Sequence, residues 1–467
     1  MEKLYSVFNP RSVAIVGVSK DERKWGYICL KRLIEAGFEG DIYPIHPEAN
    51  EILGKKVYPN LMDIEGNVDL VLIALGPNFI PAILEECIAK RVKAVIIIAA
   101  GFSESGEKGR KLEEEIVKVA KENKIRIVGP NCIGVYADSA NLNVTGILTP
   151  PPKGKISLIS QSGTISAQIF NLAVVKGFGF SNFVSIGNAA DISFHECLEY
   201  MRNDPNTKCI IMYIEGIKRG KEFLKEVAET VKVKPIVAYK VGRSEVGKRV
   251  VTSHTGTMVG EDAIYSAVFK QAGIVRVRDS DKLLEVGEAL ANLPPMQNRN
   301  IAILSDGGGP AAVASDVADL HGLEVSPLSN KSQAMLRNIL PHPARVENPV
   351  DIIDISISNY DISVFEKCAR VCLEDEKIGG LVIVGPFGGY KIIFSNAFAK
   401  TEEDTAHGIG KLIMEYNKPI VLQSIFGRAK IRSLDILREY GIPVNESIET
   451  TISCIAALAE YGEICRK

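Results

Sequence analysis

Short apolar runs alternate with longer helical patterns along almost the whole of this 467-residue chain. That alternation constrains the fold more than any other feature. Residues 12–18 (SVAIVGV), 68–75 and 94–100 are runs of under ten residues. A membrane-spanning helix takes about 20 apolar residues, so these runs are core strands. Apolar runs of this length joined by helices indicate parallel strands buried on both faces.

The expected class is α/β, built as three consecutive Rossmann-like or flavodoxin-like parallel-sheet domains. Two proline-rich breaks mark the boundaries: residues 149–154 (TPPPKG) and 293–300 (LPPMQNRN). They give expected domains at 1–150, 151–295 and 296–467. The first holds strands at 12–18, 41–44, 69–75, 93–99 and 125–128. The second holds strands at 156–159, 180–184, 209–214, 235–239 and 274–277, with a closing helix at 281–292. In the third the clearest strands are 300–304, 380–384 and 419–423, with a long proline-bearing loop at 340–351.

Composition excludes several function classes. There are 55 Lys and Arg against 57 Asp and Glu, a net charge of -2. A strongly basic nucleic-acid surface is not expected. Residues 1–11 are too polar for a signal peptide. Nine cysteines, an odd number without metal-ligand spacing, fit a reducing compartment and no metal site. A soluble, cytoplasmic protein without membrane association is expected.

Three strand-to-helix loops are rich in small residues. Gly17-Val18-Ser19 follows the first strand. Ser160-Gln161-Ser162-Gly163-Thr164 opens the second domain. Ser305-Asp306-Gly307-Gly308-Gly309-Pro310 opens the third. Free backbone N–H groups and the helix dipole favour an anion at such places. None is a Walker loop, and Ser19 stands where a G-x-G-x-x-G fingerprint needs its second glycine. Helix capping by Ser162 or Asp306 competes for the same N–H groups. His254 is set apart from the other five histidines by its surroundings, 248–260 (KRVVTSHTGTMVG). That segment reads as a loop, on which an imidazole serves as nucleophile or proton carrier or is an ordinary loop residue.

Together, Gly129-Pro130-Asn131-Cys132-Ile133-Gly134, residues 160–164, Gly177-Phe178-Gly179, Ile186-Gly187-Asn188, Glu215 and Ser253-His254-Thr255-Gly256 resemble the α subunit of succinyl-CoA synthetase. The closer resemblance is to the ADP-forming acetyl-CoA (acyl-CoA) synthetases of that superfamily. In these the third domain, here with Asn348-Pro349-Val350-Asp351 and residues 385–390, is carried on the same chain.

The resemblance implies the reaction acyl-CoA + ADP + phosphate ⇌ acid + ATP + CoA, through an acyl phosphate and a phosphohistidine at His254. Glu215 matches the carboxylate that pairs with that histidine. Ser162, Gly163 and Thr164, with Gly307, Gly308 and Gly309, match the two phosphate-cradling helix N-termini. Gly388, Gly389 and Tyr390 match a loop near the acid substrate. Gly17, Ser19, Pro47, Ala99, Ala100, Asn131 and Ile133 match the coenzyme A site, with Cys132 a buried neighbour. The implied partner is a separate ATP-grasp β subunit carrying ADP/ATP and Mg2+, in an α2β2 assembly.

Two departures argue against succinate: no lysine occurs in residues 47–50, and Ala167 stands where succinate-using relatives have tyrosine. Acetate is the default acid, with bulkier aliphatic or aryl acids as alternatives. A non-catalytic acyl-CoA-sensing module is the rival reading; such modules often lack the histidine, and this chain has both His254 and Glu215. An NAD-dependent dehydrogenase is disfavoured because Pro44 and His46, not an acid, close the second strand.

Overall fold

A computed structural model of the chain describes residues 2–147, 150–255, 260–352 and 359–466, with the side chains of 2–3 and 253–255 left out of that description. It contains two compact units, Met1–Ser280 and Asp281–Lys467.

The first unit carries two sheets. One consists of β1 (Ser12–Val16), β2 (Asp41–Ile45), β3 (Leu70–Ile73), β4 (Ala94–Ile97) and β5 (Arg126–Val128). All are parallel, in the order β2-β1-β3-β4-β5. Every residue of β1, β3 and β4 is buried, as double helix cover requires. Ile80, Ile83, Leu84, Ile116 and Ala120 pack from helices onto Val71, Ile73, Val95 and Ile97. Each such burial contributes roughly 1.5–3 kcal/mol for a full Val or Ile side chain.

The other sheet of this unit adds β6 (Gly134–Ala137), β7 (Leu142–Thr145), β8 (Lys153–Ser160), β9 (Phe180–Ser185), β10 (Cys209–Ile214), β11 (Ile236–Lys240) and β12 (Val275–Val277). Its order is β12-β11-β10-β8-β9-β6-β7. The strands β8 to β12 are parallel, and β6 joins β9 antiparallel. The sheet thus reaches back across the expected boundary at residue 150. Both strands of the hairpin β6–β7 are buried, and they cover an edge that would otherwise expose backbone donors and acceptors. Gly134 has φ +105°, and a Cβ there would lie 1.9 Å from the Val144 carbonyl oxygen. Gly134→Ala is expected to cost about 2–3 kcal/mol of stability. An unchanged denaturant midpoint would contradict this pairing.

The second unit carries β13 (Ile301–Ser305), β14 (Val350–Asp351), β15 (Gly380–Gly385), β16 (Ile420–Ser424) and β17 (Val444–Asn445). All are parallel, in the order β14-β13-β15-β16-β17. The helix Lys282–Asn292, expected to close the second domain, packs here instead. Its buried Leu283, Leu284, Val286 and Leu290 form a face packed on the helix Ile448–Cys465.

Counted within its own parallel core, each of the three sheets has the order 2-1-3-4-5. That winding has one topological switch point, between its first and third strands, where ligands bind at the carboxyl ends. The three glycine-bearing loops all start there. No described helix is long and apolar enough to cross a membrane.

Candidate active site

At the first switch point the chain turns through Gly17, with φ +89°. A Cβ at Gly17 would lie 2.7 Å from the Leu75 side chain, and one at Gly26 would lie 2.1 Å from the Gly17 carbonyl oxygen. The helix Trp25–Glu35 therefore starts against the turn, and both positions need glycine. Ser19 Oγ accepts from the Asp21 amide at 3.0 Å, which closes a local turn. Pro47 is exposed just beyond β2.

A cavity of about 730 Å³ opens beside this point, between the two sheets of the first unit. Ala99, Ala100, Asn131 and Ile133 line it together with Ser162, Gly163 and Thr164. Two groups of residues far apart in the chain, predicted for coenzyme and for phosphate, thus share one wall. Gly17, Ser19 and Pro47 are not part of that wall. Asn131 sits at φ +57°, its amide donating to the Ala99 carbonyl at 2.9 Å. Cys132 also lines the cavity, but burial pushes its thiol up to about 12. It stays a neutral thiol near pH 7 and is no nucleophile.

The second switch point supplies the loop expected to bind phosphate. The helix Gly163–Lys176 is capped by Ser162, whose side chain accepts from Ile165 at 3.3 Å. Capping therefore uses one N–H, while those of Gly163 and Thr164 stand at helix positions with no intrahelical acceptor. Gln161 Oε1 accepts from the amides of Glu215 at 2.6 Å and Gly216 at 3.0 Å. This side chain ties the loop at 160–164 to the residues after β10. Glu215 itself is 4% exposed.

Lys240 is paired with Ile214 across the ladder and is 1% exposed. Its ammonium lies 4.7 Å over the Tyr265 ring and donates to the Val241 carbonyl. Burial lowers its pKa to about 8, with the carboxylates of Asp262 and Glu215 pulling it the other way. Burial, and then the charge of Glu215, raise the Tyr213 phenol.

The His254 backbone belongs to the helix Glu245–Thr255, so the expected loop is helical up to residue 255. Its side chain and residues 256–259 lie outside the described residues.

In the second unit the helix Gly308–Leu320 begins after Gly307, at φ +110°. The Gly307 amide donates to Asp351 at 3.1 Å. Gly308 and Gly309 hold the first-turn positions, and a Cβ at Gly309 would meet nothing within 4 Å. Glu402, 0% exposed, accepts from the amides of Gly388 at 2.9 Å and Tyr390 at 3.1 Å. The buried Tyr390 donates its hydroxyl to Asp306. Tyr390 thus braces the glycine loop instead of turning its ring outward.

Gln161, Trp25, Gly146 and Ile147 also line the cavity, and the sequence alone assigns none of them a role. The first had a usable signal in its place between a strand end and a cap. Gly146 and Ile147 follow a hairpin that itself carried no signal.

Comparison with known proteins bears on this geometry. A family model described as a CoA binding domain matches residues 11–138, and one described as a succinyl-CoA ligase like flavodoxin domain matches 153–290. The chain is 37% identical to the acetate–CoA ligase [ADP-forming] II subunit alpha of Pyrococcus furiosus, over 98% of this chain and 97% of that one. It is 44% identical to the acetate–CoA ligase [ADP-forming] of Methanocaldococcus jannaschii over 74% of its length, spanning about half (48%) of that longer protein. Among solved structures it matches the dinucleotide forming acetyl-coenzyme A synthetase 1 of Ca. Korarchaeum cryptofilum, in complex with phosphate and ADP. The TM-score is 0.89 at 29% identity, covering 100% of this chain and 98% of that one.

Proposed function

The chain belongs to the α-subunit family of ADP-forming acetate–CoA ligases, and from that premise we propose which residues carry its phosphoryl-transfer chemistry. It is an enzyme subunit, an acid–thiol ligase that converts acyl-CoA, ADP and phosphate into acid, ATP and CoA. Its first sheet lies in a CoA-binding domain.

One observation carries the reading: Gln161 fastens the helix N-terminus at Gly163 to the strand end at Glu215. An anion-favouring terminus and a buried carboxylate are thereby held within one loop pair. A phosphate oxygen attacks the thioester carbonyl, the C–S bond breaks, and CoA leaves as a thiol after taking a proton. The His254 imidazole attacks the acyl phosphate at phosphorus, and the carboxylate departs. An ADP oxygen then takes the phosphoryl group as the P–N bond breaks. Gly163 and Thr164 bind the phosphoryl oxygens through backbone N–H. Glu215 orients the ring and stabilises its positive charge.

Asn131, Ile133, Ala99 and Ala100 border the coenzyme's thiol arm, and the Gly17 turn takes its pyrophosphate. Ser19 and Pro47, outside the cavity, are assigned to the nucleotide end. Gly307, Gly308 and Gly309 form the second phosphoryl cradle, with Gly388, Gly389 and Tyr390 beside the acid. The acid is an uncharged-tail monocarboxylate, acetate by default, because residues 47–50 hold no lysine and Ala167 stands where succinate-using relatives have tyrosine.

ADP/ATP and Mg2+ are assigned to a separate ATP-grasp β subunit in an α2β2 assembly. A separate partner is supported by the match over 98% of this chain to a protein named as a subunit, and by the match to about half (48%) of a longer relative. All nine cysteines are free thiols, eight of them buried, which supports a reducing, cytoplasmic setting.

The chain alone is expected to bind CoA in calorimetry yet make no ATP from acyl-CoA, ADP and phosphate. Turnover is expected only when a β partner is added. Robust turnover by the lone chain sinks the two-subunit reading.

A further inference from the structure

We propose that Trp25 is a coenzyme-binding residue whose indole forms the wall against which the pantetheine arm of CoA lies. The inference rests on the reading of this cavity as the CoA site. Trp25 is the only tryptophan in the chain. It is 44% exposed although it lines the cavity. A large apolar ring left half bare inside a concave site is a surface awaiting a ligand.

Four contacts, one of them made by the ring itself, fix where it stands. Its neighbour Gly26 abuts the backbone of the Gly17 turn. The ring lies flush on Gly146, where a Cβ would come within 1.4 Å of a ring carbon. Arg32, further along the same helix, donates from Nε to the Ile147 carbonyl at 3.1 Å. Gly146 in turn donates to the Ile133 carbonyl at 3.0 Å. The indole therefore stands between the turn assigned to the pyrophosphate and the wall that contains Ile133 and Gly163.

The segment of CoA that crosses this interval is the pantetheine arm. It has no net charge, one gem-dimethyl group, one hydroxyl, two amides and a terminal thiol. The cavity matches it in kind: Trp25, Leu75, Ile98 and Ile147 offer apolar surface, while Asn131 and Gln161 offer amide side chains. Among the described residues no charged side chain lines it, as suits an uncharged arm.

Because the chain has one tryptophan, its emission reports on this ring alone. The test measures emission and calorimetric binding of wild type, Trp25→Phe, Trp25→Ala and Gly146→Ala with three probes: CoA, pantetheine and adenosine 3′,5′-bisphosphate. Wild-type emission is expected to change with CoA and with pantetheine, and to stay constant with the bisphosphate. Trp25→Ala is expected to weaken CoA binding about tenfold, with Trp25→Phe between it and wild type. Gly146→Ala, which keeps the indole but displaces it, is expected to weaken binding as well. In the reconstituted enzyme the KM for acyl-CoA rises with Trp25→Ala while kcat stays within about threefold of wild type. Melting curves verify that each variant is folded.

CoA binding in calorimetry without an emission change, or with a Kd for folded Trp25→Ala within about twofold of wild type, overturns the proposal and leaves the CoA reading intact. A response to the bisphosphate but not to pantetheine overturns it in favour of the nucleotide. Absence of CoA binding by wild type overturns both the proposal and the reading on which it rests.

Discussion

Replacing His254 by alanine is expected to abolish an acid-labile phosphoryl label and to cut turnover by at least about 10⁴-fold. The label is formed by incubating the chain with acyl-CoA and phosphate. Phosphohistidine is a phosphoramidate, so mild acid strips it and base spares it. In the proposed mechanism a neutral imidazole nitrogen is the nucleophile, and methyl offers no lone pair in its place. The backbone of His254 lies in the helix Glu245–Thr255, not in the extended loop that its Ser, Thr and Gly neighbours suggested. Alanine is the best helix former, so the substitution leaves that helix intact. CoA binding by calorimetry should be unchanged. Labelling that persists in His254→Ala identifies another carrier and removes His254 from the mechanism.

Glu215→Gln is expected to slow phosphorylation of His254 by roughly 10²–10³-fold without unfolding the protein. An ionised carboxylate only accepts hydrogen bonds, so it selects the imidazole tautomer with N–H toward it. It also favours positive charge on the ring as phosphorus is attacked. The amide has nearly the same shape but no charge, and its NH2 end favours the wrong tautomer. The loss stays below the serine-protease figure of about 10⁴ because helix amides also stabilise the phosphoryl group. The backbone amide of Glu215 keeps its hydrogen bond to Gln161 Oε1, since that bond does not use the 215 side chain. Single-turnover labelling beside a thermal melt decides the matter. A near-normal rate, or a rate loss matched by collapse of the melt, returns Glu215 to a structural role.

The switch-point loops were legible because each couples a buried strand to small residues and then to a helix. Residues 12–18, 156–164 and 300–310 all carry that pattern, and the strands and helices follow it within a few residues. The hairpin β6–β7 was not legible. Four-residue strands with a turn at 138–141 resemble a loop, and the prolines after residue 149 drew the boundary there. Burial of both strands comes from β9 and from the helix Trp25–Glu35, which no local pattern announces. The helix holding His254 was missed for a related reason. Val246 and Val250 are spaced for one helical face, yet they are 60% and 63% exposed. The polar and small residues around them then read as loop. Gln161 was visible but had no assigned task, because its partners at 215 and 216 are more than fifty residues away.

The hairpin between residues 134 and 145 also limits how this chain can be cut and recombined. Its segment lies across the end of the region matching a CoA binding domain, which stops at residue 138, inside the hairpin. A fragment cut there keeps β6 but loses β7, and a ligase-like fragment starting at 153 loses both. That second fragment would bare the β9 edge over residues 182–184, where β6 now pairs, and bare edges recruit foreign strands. Gene fusions and domain swaps in this lineage are therefore expected to respect a seam before Gly134 or beyond the second sheet. In evolutionary terms the hairpin and the second sheet are expected to travel as one cassette.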